Sequence, residues 1–167
     1  FPELSVLLTS YEANFAAGWG RQCRDTLAMY GPQVFGVQPD PRVSRADWWQ
    51  VQGTKGKMLT AGSGGAITGK RFDVCVCDDL VRNSSDAMSP TLRDKQFDWF
   101  ASTLYTRLEP GGRVIIVMTR WHEDDIAGRL IAEARDGGEP WEVINLPALA
   151  GDDDPLDRKP GAALWPE

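Results

Sequence analysis

Phe72-Asp-Val-Cys-Val-Cys-Asp-Asp-Leu80 is the stretch that decides how this chain is read. Val74 to Cys77 is a short apolar run between polar residues. That pattern predicts a strand buried on both faces, as in a parallel sheet. The run ends on two carboxylates, Asp78 and Asp79. Open α/β folds bind their ligands at the C-terminal ends of such strands. Like charges this close repel, so the pair calls for a cation or a shared proton. In phosphoryl-transfer enzymes a strand-end Asp holds Mg²⁺, and the acid beside it orients the attacking water. The plainer reading of the same residues is a strand followed by a polar turn.

Working outward, 167 residues are enough for one domain with a real core. Lys plus Arg is 18 against 24 for Asp plus Glu, a net charge of -6, which argues against a charge-driven nucleic-acid coat protein. A local basic patch remains compatible with DNA contact. The cysteines are Cys23, Cys75 and Cys77. Cys75 and Cys77 share one face of a strand, where they are poorly placed to bridge, and no metal-ligand spacing is present. They read as core-filling thiols of a reducing compartment. No signal peptide and no apolar run of membrane-spanning length is seen. The chain opens on Phe1 and enters its first strand at once, so a longer protein that has lost its N-terminal part is expected.

The first strand is expected at Leu4 to Thr9, followed by a helix from Glu12 to Met29 with Ser10 as its cap. Its apolar positions are Phe15, Ala16, Trp19, Cys23, Leu27 and Tyr30, and Gly31-Pro32 ends it. Pro39 to Arg45 reads as a turn-rich connection. Trp48 to Gln52 and Lys57 to Thr60 read as a hairpin around Gly53-Thr-Lys-Gly56. A polar loop follows at Leu80 to Met88. Ser89 as cap and Pro90 at the first position start a helix running to Leu108, stopped by Glu109-Pro-Gly-Gly112. Arg113 to Met118 is a third buried strand. Glu123-Asp-Asp125 opens a helix over Ile126 to Ala134. Trp141 to Leu146 is a last strand candidate, and residues 147–167 read as a linker in which Asp152-Asp-Asp154 is solvated charge. The layout is α/β, a mostly parallel sheet with flanking helices.

Gly64-Gly-Ala-Ile-Thr-Gly69-Lys70 fits the phosphate-loop pattern up to its last position. That position must be Ser or Thr to reach Mg²⁺, and here it is Arg71. The stretch also leads into a strand rather than a helix. It is therefore a flexible Gly-rich loop presenting Lys70 and Arg71, either a connector needing positive φ or a phosphate-facing loop.

Thr119-Arg-Trp-His122 follows the strand expected beside Asp78-Asp79. With these two strand ends together, the chain resembles the ATPase domain of the large subunit of tailed-phage terminases, the DNA-packaging motors. The residues that carry the likeness are Gly65-Ala-Ile-Thr-Gly69, Asp78-Asp79-Leu80, Ser89 with Arg93 and Trp99, and Thr106-Arg107. Met118-Thr-Arg-Trp-His-Glu-Asp-Asp125, Gly128-Arg129-Leu130 and Pro160-Gly-Ala-Ala-Leu-Trp-Pro166 extend it over nearly the whole chain. The resemblance implies a P-loop NTPase fold of the RecA-like type, N-terminally truncated, with 1–146 as the ATPase portion and 147–167 as a linker toward a nuclease domain. It implies Mg²⁺ and ATP as cofactors. Asp78 would be the Walker B acid holding the ion, Asp79 the catalytic carboxylate, and Thr119 the coupling hydroxyl, with Arg120 beside it at the nucleotide. Lys70 or Arg71 falls where some relatives place a trans-acting arginine finger. The implied partners are double-stranded DNA, the portal protein and the small terminase subunit, in a homo-oligomeric ring with no membrane. The implied place is the host cytoplasm, transiently at the procapsid portal. The family's Walker A loop and adenine-contacting segment precede the strand that here begins at Leu4, and neither occurs in these residues. The isolated chain is accordingly expected to bind ATP weakly or not at all.

Two other readings stand beside this one. Asp78, Asp79, Asp124 and Asp125 would serve a metal-dependent nuclease or phosphohydrolase, tested by two ions about 4 Å apart. A non-catalytic interaction module is the other. His122, the single histidine, reads as a polar loop residue before a metal ligand. The tryptophans read as packing before base stacking. Arg21, Arg24, Arg93 and Arg107 read as a solvated helix face, with subunit or DNA contact as the alternative.

Overall fold

The computed structural model describes residues 2–165. Phe1 and the Pro166 that ends the Pro160–Pro166 run lie outside the described residues. The chain divides into two compact units, residues 1–129 and 130–167.

The first unit is built on six strands: β1 (Ser5–Ser10), β2 (Pro39–Ser44), β3 (Trp48–Val51), β4 (Lys57–Gly62), β5 (Phe72–Asp78) and β6 (Leu108–Val117). Its helices are α1 (Ala13–Val34), α2 (Ser84–Met88) and α3 (Pro90–Trp99), and α4 (Ile126–Arg135) begins at its end. The order across the sheet is β2-β3-β4-β1-β5-β6. β1 pairs in parallel with β4 and β5, and β5 with β6. β3 is antiparallel to both β2 and β4. The fold is therefore α/β, with helices flanking a mixed sheet.

Two crossovers leave the centre in opposite directions. From β1 the chain passes through α1 and the hairpin to β4. From β5 it passes through α2 and α3 to β6 on the other side. Parallel crossovers are right-handed, so these two place their helices on opposite faces. The reversal falls between β1 and β5, the crevice where such sheets bind ligands.

The α1 face of the sheet holds a cluster of Leu8, Trp49 and Met58, with Leu27, Val51 and Val76 against it. On the other face Leu7, Thr9, Cys75 and Cys77 are fully buried. Burial pushes the Cys75 thiol up to about 12, so it is not a nucleophile at neutral pH. Helix α1 approaches the sheet closely because Gly20 has no side chain. A Cβ there would lie 2.5 Å from the Ala46 carbonyl oxygen and 2.6 Å from Thr60 Cγ2. The Gly20 carbonyl accepts the Trp49 indole N–H at 2.9 Å.

Several expectations are corrected. Pro39 to Arg45 is not a plain connection, since Pro39–Ser44 forms β2. Prolines cannot donate to a ladder, and an edge strand tolerates them because one side needs no partner. Helix α1 runs past Gly31-Pro32 to Val34, with the Phe35 N–H closing onto Gly31 O at 2.9 Å. Pro32 costs one bond to the carbonyl of Ala28, an exposed residue that water can serve. Ser10 ends β1 instead of capping α1, whose N-cap is Glu12 without a side-chain bond. Of the expected apolar face of α1, Ala16 is buried, whereas Phe15, Trp19 and Tyr30 are exposed. The polar loop contains α2, capped where Asn83 Oδ1 accepts the Asp86 N–H at 2.9 Å.

The Ser89–Pro90 start holds, with Ser89 Oγ accepting the Leu92 N–H. The helix does not reach Leu108. It loosens into a π turn at Phe100–Leu104 and a 3-10 turn at Tyr105–Arg107, and β6 starts at Leu108. Ser102 Oγ donates to Asp98 O and Thr106 Oγ1 to Ser102 O, offering the backbone an alternative to regular helix. β6 thus incorporates Glu109-Pro-Gly-Gly112, with a register shift against β5 between Phe72 and Val74.

In the second unit Trp141 to Leu146 is not a strand. A strand exists only by pairing, and among the described residues nothing pairs with it. Residues 147–165 are tied by an antiparallel bridge between Leu149 and Ala163 and by a buried clamp. Asp154, expected as solvated charge, has a side chain only 1% exposed. Its Oδ2 accepts the backbone N–H groups of Leu156 (3.0 Å) and Arg158 (3.1 Å). Arg158 binds both of its carboxylate oxygens and donates to Pro147 O at 2.8 Å. The guanidinium bond, then the two amides, lowers the Asp154 carboxyl from 3.8 to about 2. A depressed carboxylate stabilises the loop above its unfolded value and loses that contribution as pH falls through its folded value. In an NMR titration the Leu156 and Arg158 amide shifts are expected to move with a midpoint near 2 rather than 3.8. Asp154→Asn abolishes the transition, and a midpoint near 3.8 would refute the clamp.

Candidate functional site at the C-terminal ends of β5 and β6

Asp78 is the last residue of β5 and pairs with Val117, the last of β6. The next backbone unit is pinned on two sides. The Asp79 N–H donates to Val117 O at 2.9 Å, and Asp79 O accepts the Tyr11 N–H at 3.1 Å, just beyond β1. Asp79 takes φ 43°, the left-handed region that Asp visits more readily than most residues. Non-glycine residues held there are concentrated at functional sites. The carboxyl of Asp78 is raised above the ordinary range, first by burial and then by the charge of Asp79. Among the described residues neither carboxylate has a cation within ion-pair distance.

Ser10 was missed by sequence reasoning, which saw it only as a helix cap. The β1–β5 register runs to Thr9 opposite Cys77, so Ser10 lies one step on, beside Asp78. Both Thr9 and Ser10 are fully buried, and their hydroxyls have no hydrogen-bond partner among the described residues. Side chains at the same step of adjacent parallel strands share a face about 4.8 Å apart. A buried orphan hydroxyl is costly, and such groups in a crevice mark a place that favours a polar ligand. No signal in the sequence distinguishes this Ser from a cap; only the register does. On the α3 side of the crevice, Tyr11, Ser63, Leu80, Arg82, Arg93 and Gln96 line a cavity of about 330 Å³.

Thr119 lies two residues past Val117, within about 7 Å of the backbone that holds Asp79. The fold therefore brings Asp78, Asp79 and Thr119 to one end of two adjacent strands. Thr119 is exposed, but the loop that carries it is braced. Arg120 Nε donates to Asp125 Oδ2 at 2.8 Å, and its Nη2 to Glu123 O at 3.2 Å. Asp125, with a side chain 2% exposed, also accepts the Gly128 N–H at 2.9 Å. In this arrangement the Arg120 guanidinium braces its own loop.

A second ionic knot fastens the same loop to α3. Asp124 accepts Arg129 Nε and Nη2, each at 2.8 Å, and Arg93 Nε at 3.0 Å. Arg129, then Arg93, holds its carboxyl well below the usual range. Arg93 is not on a solvated face: its side chain is 10% exposed and it donates to Ala87 O at 2.7 Å. His122 Nδ1 accepts the Asp124 N–H at 2.9 Å, the behaviour of a loop residue.

Asp124 and Asp125 are thus consumed by arginines rather than aimed at Asp78 and Asp79. Among the described residues no three His, Cys, Asp or Glu side chains group so as to hold a metal ion. Lys70 stands elsewhere. It precedes β5 while Asp78 ends it, a separation of about 20 Å along the strand. Its Nζ lies 3.1 Å from the centroid of the Trp48 ring. Within one chain Lys70 is not brought to the acid pair. No protein-family model matches this chain, and no curated protein sequence matches it.

Proposed function

We propose that this chain is part of the ATP-hydrolysing motor of a phage terminase large subunit, which packages double-stranded DNA into procapsids. The observation that carries the reading is that Asp78-Asp79 end β5 and Thr119 follows two residues after the end of the neighbouring parallel β6, next to the point where the crossovers diverge. Mg²⁺ fits these residues. It is bound through one or two carboxylates and keeps several waters, so two acids and nearby hydroxyls suffice. Magnesium-bound ATP supplies the transferable phosphoryl group. In this reading Asp78 holds the ion's water shell, Asp79 orients the attacking water, and Thr119 senses the terminal phosphate. Asp79 is one methylene shorter than the Glu more common in related motors.

The phosphate cradle does not fit. The only G-x-x-x-x-G-K match, Gly64 to Lys70, is followed by Arg71 and leads into β5. The reading therefore needs a phosphate loop from polypeptide beyond these residues. The face carrying Asp78 supports this. On it Val74 and Val76 are half-buried, and Ile115 and Val117 are 50% and 54% exposed, an apolar strip on parallel strands that usually lie covered. The portal protein, the small subunit and a homo-oligomeric ring in the host cytoplasm belong to the same proposal. Lys70 enters it only as a residue offered to a neighbouring subunit. Among the described residues no helix is long and apolar enough to cross a membrane.

Thermal melts with and without excess Mg²⁺ test the site directly. A ligand that binds only the folded state stabilises it. The ion is expected to raise the Tm of the chain and to leave Asp78→Asn unmoved. Equal shifts in both would remove Asp78 as the ion's holder. The reading frame upstream of the Phe1 codon tests the motor: a strand followed by G-x-x-x-x-G-K-[ST] is expected, and a frame without one would overturn the ATPase reading.

A further inference from the structure

The opposite end of the sheet carries a second feature that the acid pair does not use. Here β1, β4 and β5 begin, and a cleft of about 670 Å³ opens among Trp48, Lys55, Lys57, Lys70, Arg71 and Glu109, with Glu3, Ser5 and Asp73 on its walls. The volume lies within the range of small-molecule sites. Its acids are already engaged. Glu3 Oε2 accepts the Lys55 N–H at 3.1 Å, Asp73 Oδ2 accepts the Ser5 N–H at 2.7 Å, and Glu109 lies 3.9 Å from Arg71. Among the described residues Lys55, Lys57 and Lys70 have no carboxylate within ion-pair distance. In a chain of net charge -6, three lysines on one cleft, none ion-paired with the acids that share it, is an unusual concentration.

Two further details point to an anion. Burial, then the neighbouring charges of Lys57 and Arg45, lowers the Lys70 ammonium from its ordinary range, with Asp47 offsetting part of the repulsion. The Trp48 indole N–H is buried and has no acceptor among the described residues. An oxyanion in the cleft would relieve the repulsion and supply acceptors for several donors at once.

We propose that this cleft binds a phosphate-bearing ligand of nucleotide size, either a free nucleotide or one unit of a nucleic-acid strand. Lys57 and Lys70 are its main contacts, and Trp48 forms the wall that holds Lys70 in place. The site is separate from the acid pair and does not depend on the ATPase reading.

The 167-residue chain, in EDTA so that the acid pair holds no ion, is titrated with a fluorescein-labelled DNA duplex by anisotropy and with ATP by calorimetry. Saturable binding of at least one probe is expected. Lys57→Gln and Lys70→Gln each weaken it about tenfold, the scale of one charged hydrogen bond. Lys70→Arg retains it, and Lys159→Gln, outside the cleft, leaves it unchanged. Binding of the duplex alone identifies a nucleic-acid strand as the source, and binding of ATP alone a free nucleotide. Variants are compared at equal Tm by circular dichroism. No saturable binding of either probe, or affinities unaltered by Lys57→Gln and Lys70→Gln, overturns the proposal.

Discussion

Asp79→Asn is expected to lower ATP turnover by about 100-fold or more in a form of the protein that includes the phosphate loop, the scale of losing a positioned proton acceptor. The substitution keeps size and shape, so the backbone bonds from Asp79 to Val117 and from Tyr11 to Asp79 persist. What disappears is a negative oxygen that can take a proton from water. Asn also tolerates the left-handed φ of 43°, so folding is not the confounder. Steady-state phosphate release measures the effect, with the loss expected in kcat more than in KM. Turnover near wild type would remove Asp79 from the chemistry. Asp78→Asn separates function from stability at the same site. The Asp78 carboxyl is raised in the folded state, so its contribution is present at low pH and is lost as pH rises through the folded value. Neutral Asn does not titrate. Asp78→Asn is therefore expected to melt higher than wild type at pH 7, with the difference vanishing at acid pH. Functional sites often hold such a cost.

Gly128→Ala is expected to destabilise the first unit by about 3 kcal/mol, at the upper end for overpacking. That corresponds to roughly 6–12 °C in Tm for a chain of this size. A Cβ on Gly128 would fall 1.8 Å from the Glu123 carbonyl oxygen and 2.9 Å from Arg120 Nη2. Neither the backbone oxygen nor the guanidinium held on Asp125 can yield cheaply. The loop must shift, and Thr119 shifts with it, so turnover falls in the longer form as well. Gly18→Ala is the control. Nothing lies within 4 Å of its Cβ position inside helix α1, so a neutral or slightly higher Tm is expected. A Gly128→Ala Tm equal to that of the control would show that the Arg120 brace is not tight.

Much of this was legible from residue patterns. Alternation and apolar runs located β1, the β3–β4 hairpin and β5 because burial selects those residues directly. Ser89-Pro90 marked the start of α3 because a cap and a fixed φ act locally. The acid pair stood out for the same reason, since charges at the end of an apolar run are visible without knowing what they face. The end of the following helix was not legible. Its residues suit helix as far as Leu108, but pairing with β5 draws that residue into β6. β2 was missed because two prolines read as turn until an edge position makes them harmless.

The chain by itself determined the α/β class, the strand that ends on Asp78-Asp79 and the absence of a phosphate loop among its residues. These depend on composition and on neighbours in sequence. Only the tertiary structure decided that Ser10 stands beside Asp78, that Asp124 is spent on Arg93 of α3, and that Lys70 stacks on the Trp48 ring. Each depends on strand register or on a partner many residues away. Those contacts arise from the balance of pairing and burial over the whole sheet, which no local window contains.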